Sequence, residues 1–283
     1  MPQTTKELIV NGEAIAAAQY QRFHRKRLAL TLDHLRKLGA RNIVEVGGHP
    51  WVMTAALIDH GAFTVCATVS AEEVTHWPDD IGVTRHEYRI STPGGREASF
   101  PNYSANIERT LFEIDERADT VIACEIIEHL LRAPHVMMLN INRWLPVGGK
   151  LLVSTPNGAQ FSNPFRRKSS RPAYRCNVYA RHNYLFTLDQ LVELAELCGF
   201  KVREAGFWNV YERSGAARVY AALSALPLHY LREKFQRTIF IAAEKQCGVT
   251  ELLRLPKCYA PGTEWEFIRA PANTANVRKL EEA

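Results

Sequence analysis

The chain has 283 residues, 46% of them hydrophobic and 23% charged, which is typical of a globular protein with one large core. No apolar run approaches the roughly 20 residues needed to cross a bilayer. The first residues lack the basic start and continuous apolar core of a signal peptide, so we expect a cytoplasmic protein without a membrane span.

Cysteines and basic residues give two further indications. The six cysteines are scattered without a CxxC pair, so neither a disulfide framework nor a zinc ribbon is indicated. The net charge is only +5, but basic residues cluster at 22–27 and 165–175. We interpret the first cluster as the solvated face of a helix. The second has no helical period, and four of its five cationic side chains are candidates to bind a phosphate group: Arg166, Arg167, Lys168 and Arg171.

Helices and strands alternate in the predicted structure. Residues 12–38 have helical periodicity, and Gly39 follows them as a C-cap glycine. The next predicted elements are a strand at 42–46, a helix at 51–60, a strand at 62–69, a helix beginning at 70–74, a strand at 82–90 and a long polar loop from residue 91.

The second half continues the alternation. Its predicted elements are a strand at 118–124, a helix at 135–145, a strand at 148–155, a helix at 187–198 and strands at 201–208 and 237–245. This order predicts a Rossmann-like α/β fold with a mostly parallel sheet and helices on both faces. We expect three regions: an N-terminal helical cap (1–40), the Rossmann-like domain (41–245) and a C-terminal extension (246–283).

Two turns after predicted strands carry candidate site residues, because ligands of open α/β sheets bind outside the carboxyl ends of the strands. The turn "VEVGGHPW" contains Gly47 and Gly48, which let backbone N–H groups approach a ligand closely. The stretch "ACEIIEHLL" contains Glu125, Glu128 and His129 at spacings that place them on one face of a helix. Two carboxylates and an imidazole on one face are able to form a site.

The order of the segments "IVEVGG", "NIER", "ADTVIACEIIEHL", "LPVGGKLLVSTPN" and "YARHNYLFTLDQLVELAELCGF" resembles that of class I S-adenosylmethionine-dependent methyltransferases. The match extends over about residues 42–245. The resemblance implies a seven-stranded, mostly parallel sheet whose last strand is reversed. It also implies S-adenosylmethionine as the cofactor.

The resemblance indicates cofactor-binding residues in the first turn. Glu45 matches the acidic residue of the first-strand motif, and Gly47 matches its first glycine, with Gly48 beside it. The next two glycines of the family pattern are replaced by His49 and Trp51. This departure implies that the loop approaches the cofactor differently.

Other cofactor contacts are implied further along the chain. The acid that binds the ribose falls near Thr68, with Glu72 or Glu73 as possible substitutes. Asn106 takes the place of the polar residue that meets the adenine. The methionine end of the cofactor is lined by two residues: Cys124 and Glu125.

Three interpretations of Glu125, Glu128 and His129 remain open. In the first, the carboxylates favour a helix N-terminus through its dipole and His129 makes a packing contact. In the second, His129 is a general base that takes the proton from a hydroxyl as it attacks the methyl group. In the third, the three residues hold Mg²⁺ or Mn²⁺, which would lower the pKa of the hydroxyl.

Two groups of methyltransferases have a similar ExxEH pattern and use it to bind metal. They are the ubiquinone-biosynthesis O-methyltransferases and the small-RNA 3′-terminal 2′-O-methyltransferases. The chain also resembles the RNA enzymes in "STPN" at 154–157, followed by "RHN" at 181–183. His182 of "RHN" is therefore a candidate fourth metal ligand or an alternative base. Presumed sugar methyltransferases carry a similar "RHN" before a helix that begins with Thr.

From the resemblance we expect an O-methyltransferase of polysaccharide biosynthesis. Its acceptor is a hydroxyl of a sugar in a glycan, glycolipid or glycosylated natural product, with or without a phosphate. One alternative is an RNA 2′-O-methyltransferase, although the low net charge and the lack of a recognisable RNA-binding module make nucleic acid a poor partner. The other is a decayed binding subunit. The replaced glycines and the Thr68 position favour decay. Four retained residues oppose it: Glu125, Glu128, His129 and His182. The sequence does not indicate the oligomeric state.

Overall fold

The computed structural model describes residues 7–70, 82–130, 133–159, 182–208, 210, 222 and 236–251. In these ranges one sheet is covered by helices α1 and α2 on one face and by α3 and α4 on the other. The helices are α1 (Ala18–Leu38), α2 (Val52–His60), α3 (Pro134–Trp144) and α4 (Leu188–Leu197). The strands are β1 (Leu8–Val10), β2 (Glu13–Ile15), β3 (Asn42–Val46), β4 (Thr64–Ser70), β5 (Thr84–Ser91), β6 (Glu97–Ser104), β7 (Thr120–Cys124), β8 (Lys150–Pro156), β9 (Phe200–Trp208) and β10 (Thr238–Lys245).

The strand order in the sheet is β2-β1-β5-β6-β4-β3-β7-β8-β10-β9. Strands β6, β4, β3, β7 and β8 pair in parallel, whereas β10 is antiparallel to both β8 and β9. The predicted Rossmann-like fold is therefore confirmed, and so is the reversed last strand. Seven strands from β6 to β9 form this core, but β5, β1 and β2 extend it by antiparallel pairing. The expected number of seven strands is too low.

Strand β6 lies where we predicted a polar loop. Its composition is polar, but Phe100, Asn102 and Tyr103 are buried because β6 lies between β4 and β5 inside the sheet. The hydroxyl of Thr68 in β4 donates a 2.8 Å hydrogen bond to the carbonyl oxygen of the Asn102 side chain. A polar side chain can be buried when it gains such a hydrogen-bond partner. The polar composition of β6 therefore did not indicate an exposed loop.

Helix α1 begins at Ala18, later than predicted, because the preceding residues form the β1–β2 hairpin. Asn11 and Gly12 make the turn of this hairpin with φ angles of 51° and 86°. An Asn-Gly pair between two short strands is a strong hairpin signal, and the prediction of a helix from residue 12 is wrong at this end. The predicted end of the helix is correct, since Gly39 adopts a left-handed conformation with φ of 65°.

The buried side chain of Lys245 closes the last turn of α3. Its ammonium group donates 2.7 Å hydrogen bonds to the backbone oxygens of Asn142 and Leu145, which have no helical partner of their own at this end. Lys245→Met should therefore lower the free energy of unfolding by about 3 kcal/mol, because it removes two charge-assisted hydrogen bonds from a buried site. Urea unfolding measures this, with the exposed Lys201→Met as the control, and a loss below about 0.5 kcal/mol would contradict it.

Candidate active site

The candidate active site lies at the carboxyl ends of the parallel strands, where α1 crosses them. A pocket of about 550 Å³ opens there. The described residues that line it come from α1 and the segment before it, from the turn after β3, from the end of β7, from the segment after β9 and from the start of β10: Ala16, Tyr20, His24, Arg27, Pro50, Glu125, Val210, Arg237 and Thr238. This is the edge of the sheet at which an open α/β fold binds its ligand.

The turn after β3 requires both of its glycines. Gly47 has φ of 79°, and a Cβ atom at this position would overlap the side chain of Ile126. A Cβ atom on Gly48 would lie 2.7 Å from the ring of Trp51. The absence of side chains therefore leaves the backbone of this turn close to Ile126, just after β7, and its contact with a ligand stays a prediction.

Trp51 and His49 stand where the family pattern has glycine, and they have different environments. Trp51 keeps the left-handed conformation, with φ of 64°, and caps the N-terminus of α2. Its ring is buried at 5.1 Å from the ring of Tyr88. His49 is exposed. Trp51 is thus a core residue that tolerates a glycine-like backbone conformation.

Glu45 is buried in β3, where the hydroxyl of Thr54 donates a hydrogen bond to its carboxylate. Burial raises its pKa to about 8, although the Thr54 hydrogen bond opposes the shift. Glu45 also borders a small cavity of about 30 Å³ beneath the turn, together with Gly47, Gly48 and Cys124. It therefore lies behind the turn rather than in the larger pocket, and its contact with the cofactor stays a prediction.

The raised pKa of Glu45 gives a pH dependence of stability. The folded protein keeps a proton that the unfolded chain releases above an ordinary pKa of 4.5, so the free energy of unfolding should fall as the pH rises from about 5 to about 8. The slope should be on the order of 1 kcal/mol per pH unit. Glu45→Gln keeps the shape and cannot ionise, so it should flatten this fall in urea unfolding at several pH values. The exposed Glu97→Gln should retain the wild-type slope; equal slopes for wild type and Glu45→Gln would contradict the assignment.

The structure corrects one predicted cofactor contact and leaves another open. Thr68 is fully buried two residues before the end of β4, and its hydroxyl is bonded to Asn102, so it is not placed to meet a ribose. Asn106 follows the end of β6, and its side-chain oxygen accepts a 3.1 Å hydrogen bond from the backbone N–H of Glu108. Its predicted role at the adenine stays a prediction.

Cys124 and Glu125 stand at the end of β7. Burial raises the pKa of the Cys124 thiol to about 11, so the thiol is neutral. The Glu125 carboxylate lies 3.1 Å from the guanidinium of Arg27 and accepts a 3.2 Å hydrogen bond from the Ser154 hydroxyl. Arg27 also donates a 2.6 Å hydrogen bond to the hydroxyl of Tyr20. The ion pair links α1 to β7 at the pocket, and sequence reasoning missed both Arg27 and Tyr20.

The structure brings together Glu128, His129 and His182, whose ligand atoms all lie within 4.8 Å of one another. Glu125 is not a member of this group, because Arg27 and Ser154 hold its carboxylate. The prediction that Glu125, Glu128 and His129 share a helical face is wrong. Glu125 has φ of 60°, and residues 127–129 form a single 3₁₀ turn, while the α-helix begins only at Pro134.

Hydrogen bonds from the segment after "RHN" hold His182 beside the 3₁₀ turn. The backbone N–H groups of Asn183 and Tyr184 donate to the backbone oxygen of Glu128 at 2.7 and 3.1 Å. The side chain of Asn183 donates to the backbone oxygen of His129 at 3.0 Å. The histidine rings then meet edge to face, with centroids 5.0 Å apart. The "RHN" sequence thus supplies both a histidine and the asparagine that anchors its segment.

The electrostatics of this cluster are unusual. Glu128 is fully buried, and burial together with the charge of Glu125 raises its pKa well above the ordinary range. One of its oxygens accepts a 2.9 Å hydrogen bond from Thr155, whereas the other has no hydrogen-bond donor in the described part of the chain. That second oxygen lies 3.9 Å from Nε2 of His129. The pKa of His182 is lowered by burial and by His129, so its imidazole is neutral at pH 7.

These residues fit a divalent metal ion. The buried oxygen of Glu128 lacks a donor among the described residues, and an imidazole must be neutral to bind a metal. One carboxylate and two imidazoles form a donor set that suits first-row metals such as Mn²⁺. The same residues could equally serve as a general base with its supporting carboxyl group.

Sequence comparison identifies the family. A family model described as a methyltransferase domain matches residues 17–205. The chain belongs to this methyltransferase family. It is an S-adenosylmethionine-dependent methyltransferase, and the sheet with its parallel core and reversed last strand agrees with that assignment. No curated protein sequence matches the methyltransferase significantly.

The methyltransferase is also similar to several solved structures at low identity. The S-adenosylmethionine-dependent methyltransferase from Mesorhizobium loti has 14% identity and a TM-score of 0.48, and the match covers 75% of this chain and 96% of that one. The methyltransferase domain of bacterial CtHen1 has 15% identity and a TM-score of 0.46, and the match covers 78% of this chain and 99% of that one. Phosphoethanolamine N-methyltransferase 2 from Haemonchus contortus has 16% identity and a TM-score of 0.47, and the match covers 77% of this chain and 53% of that one.

Several predicted features of the methyltransferase lie outside the described residues. They are the basic loop at 165–175, the ribose-binding candidates Glu72 and Glu73, and the C-terminal extension after residue 251. None of the described helices is both long and apolar enough to span a membrane.

Proposed function

We propose that this methyltransferase moves the methyl group of S-adenosylmethionine to a hydroxyl oxygen of a sugar in a glycan, glycolipid or glycosylated natural product. The observation that carries the proposal is the cluster of Glu128, His129 and His182 next to the end of β7. The sulfonium of the donor is a good leaving group, so the protein chiefly aligns the reactants. A hydroxyl acceptor must also lose its proton during the attack, and this cluster can accept that proton.

In this proposal His129 is the general base. Its side chain is 44% exposed, so the imidazole is accessible to an acceptor, whereas Glu128 is buried. The Glu128 oxygen beside Nε2 has no donor among the described residues, so it would accept a hydrogen bond from the imidazolium that forms. His182 is the second candidate base, because its neutral imidazole adjoins that of His129.

The alternative to a base at His129 is a divalent ion, Mg²⁺ or Mn²⁺, which would be held by Glu128, His129 and His182, with Glu125 as a fourth ligand only if it leaves Arg27. When bound, such an ion supplies a Lewis acid that lowers the pKa of an acceptor hydroxyl. The cofactor would lie along the ends of β3, β6 and β7, in contact with Gly47, Gly48, Asn106, Cys124 and Glu125. Helix α1 would shield the reacting atoms from water.

The pocket supports a small sugar-like acceptor. Its volume of about 550 Å³ is in the ordinary range for small-molecule sites. Tyr20, Arg27 and Thr238 offer polar groups to hydroxyls, and the ring of Tyr20 offers an apolar face. A pocket closed on one side by α1 suits a compact acceptor better than a nucleic-acid strand, which needs an open basic groove.

The proposal is tested by incubating the full-length protein with radiolabelled S-adenosylmethionine and a panel of monosaccharides, nucleotide sugars and RNA oligonucleotides, with Mg²⁺ or Mn²⁺. We expect methylated sugars whose methyl group lies on oxygen, identified by mass spectrometry. Methylation of RNA alone would favour the RNA 2′-O-methyltransferase. A failure to bind S-adenosylmethionine at millimolar concentration would indicate a decayed binding subunit.

A further inference from the structure

The pocket gathers positive charge from residues far apart in the sequence. Two guanidinium groups line it, Arg27 from α1 and Arg237 from the start of β10. Glu125 is the one carboxylate among the described lining residues, and it is paired with Arg27 at 3.1 Å. Arg237 has no carboxylate partner among the described residues, and its exposed side chain is accessible to a ligand.

The protonation of His24 is affected by the positive charge of the same two arginines. Its pKa is lowered to about 4 by burial and by the charges of Arg27 and Arg237. The imidazole is thus neutral at pH 7 and lies against Tyr20, with ring centroids 4.2 Å apart. A neutral imidazole can donate a hydrogen bond to an anion without adding to the charge repulsion between the two guanidinium groups.

Arg237 lies three strands away from the glycine turn after β3, on a backbone that hydrogen bonds hold in place. Strands β7 and β8 separate β10 from the glycine turn after β3, a span of about three strand spacings or roughly 14 Å. The backbone N–H of Asn157 donates to the backbone oxygen of Arg237 at 2.9 Å, and the Asn157 side chain donates to that of Gln236 at 3.0 Å. These bonds hold the start of β10 against the end of β8.

We propose that the pocket binds an acceptor that carries an anionic group, and that Arg237 binds this group with His24 beside it. The inference rests on the proposed function and narrows its substrate class to acidic sugars. The shared chemistry is an anionic oxygen pair, supplied either by the carboxylate of a uronic acid or by a phosphate. A guanidinium binds both in a bidentate manner.

Calorimetry on the full-length protein with S-adenosylhomocysteine tests the inference with three probes: glucose, glucose 6-phosphate and glucuronate. At least one anionic probe should bind about tenfold or more tightly than glucose, and the stronger of the two identifies the group. Arg237→Gln should remove this preference. Arg203→Gln makes the same change of charge on β9, where Arg203 is exposed and paired with Glu244 outside the pocket, and it should keep the preference.

Two results would overturn the inference: equal affinity for all three probes, or an equal loss of preference in Arg203→Gln. These outcomes are distinct from a failure of the proposed function. Methylation of neutral sugars without any anion preference would remove the inference and keep the function. An anion preference that depends on Arg237, in a protein that methylates no hydroxyl, would keep the anion site and remove the function.

Discussion

Glu128→Gln and His129→Ala should each lower kcat by about 10² to 10⁴, because a positioned group that removes the acceptor proton is typically worth that much. Glutamine keeps the size of Glu128 and can still accept the hydrogen bond from Thr155, so the fold should survive. The dissociation constant for S-adenosylmethionine should stay within about twofold of wild type, since the cluster acts on the acceptor. Initial rates and calorimetry measure the two quantities.

Matched controls and chelation complete this experiment. Glu87→Gln and His86→Ala alter an exposed glutamate and an exposed histidine on β5, and they should leave kcat unchanged. If a metal is required, a chelator should abolish turnover and added Mn²⁺ or Mg²⁺ should restore it. If His129 acts alone, the chelator should have no effect. Wild-type turnover in both cluster variants would return Glu128 and His129 to a purely structural role.

Gly47→Ala should weaken the binding of S-adenosylmethionine by at least about tenfold. The substitution should lower the free energy of unfolding for two reasons. A side chain at positive φ costs about 1 to 2 kcal/mol, and the overlap of the new Cβ with Ile126 adds about 1 to 3 kcal/mol. The overlap pushes the turn after β3 away from the end of β7, where the cofactor is expected. Calorimetry with the cofactor and urea unfolding measure the two consequences.

Gly148→Ala is the control that has the cost of positive φ without the overlap. Gly148 has φ of 81°, almost the same as Gly47, but a Cβ atom there would meet nothing within 4 Å. This control should lose stability without losing cofactor affinity. The double variant Gly47→Ala with Ile126→Ala should recover part of the affinity, because it removes the overlapping atoms. Equal cofactor affinities in Gly47→Ala and Gly148→Ala would contradict the role assigned to the turn.

Local patterns in the sequence predicted much of the fold. Buried strands such as β3 and β7 are short apolar runs, and the glycine after α1 marks its end, so both could be identified from neighbouring residues alone. The β1–β2 hairpin also had a local signal, Asn11-Gly12, but the alanines that follow it continue the helical period and concealed it. Strand β6 had no such signal, because its polar side chains find partners on other strands.

The candidate site was predictable only in part, for a similar reason. Glu128 and His129 are adjacent in sequence, and the resemblance to known methyltransferases added His182. The Arg27–Glu125 ion pair and the placement of Arg237 join residues that are about a hundred positions or more apart. Such contacts depend on how α1 and β10 lie across the sheet, which hydrophobic periodicity does not specify. Glu125 lies outside the metal cluster because its carboxylate is paired with Arg27 from α1.

The hairpin before α1 has a consequence for the energetics of ligand binding. Strand β1 is hydrogen-bonded to β5 in the main sheet, and the other end of α1 is packed in the core through Leu35. Helix α1, which forms one wall of the pocket, is thus held against the sheet at both ends. We expect it to unfold together with the sheet as one cooperative unit. A ligand that meets a wall already ordered loses little conformational entropy on that side, so more of its contact energy remains as affinity.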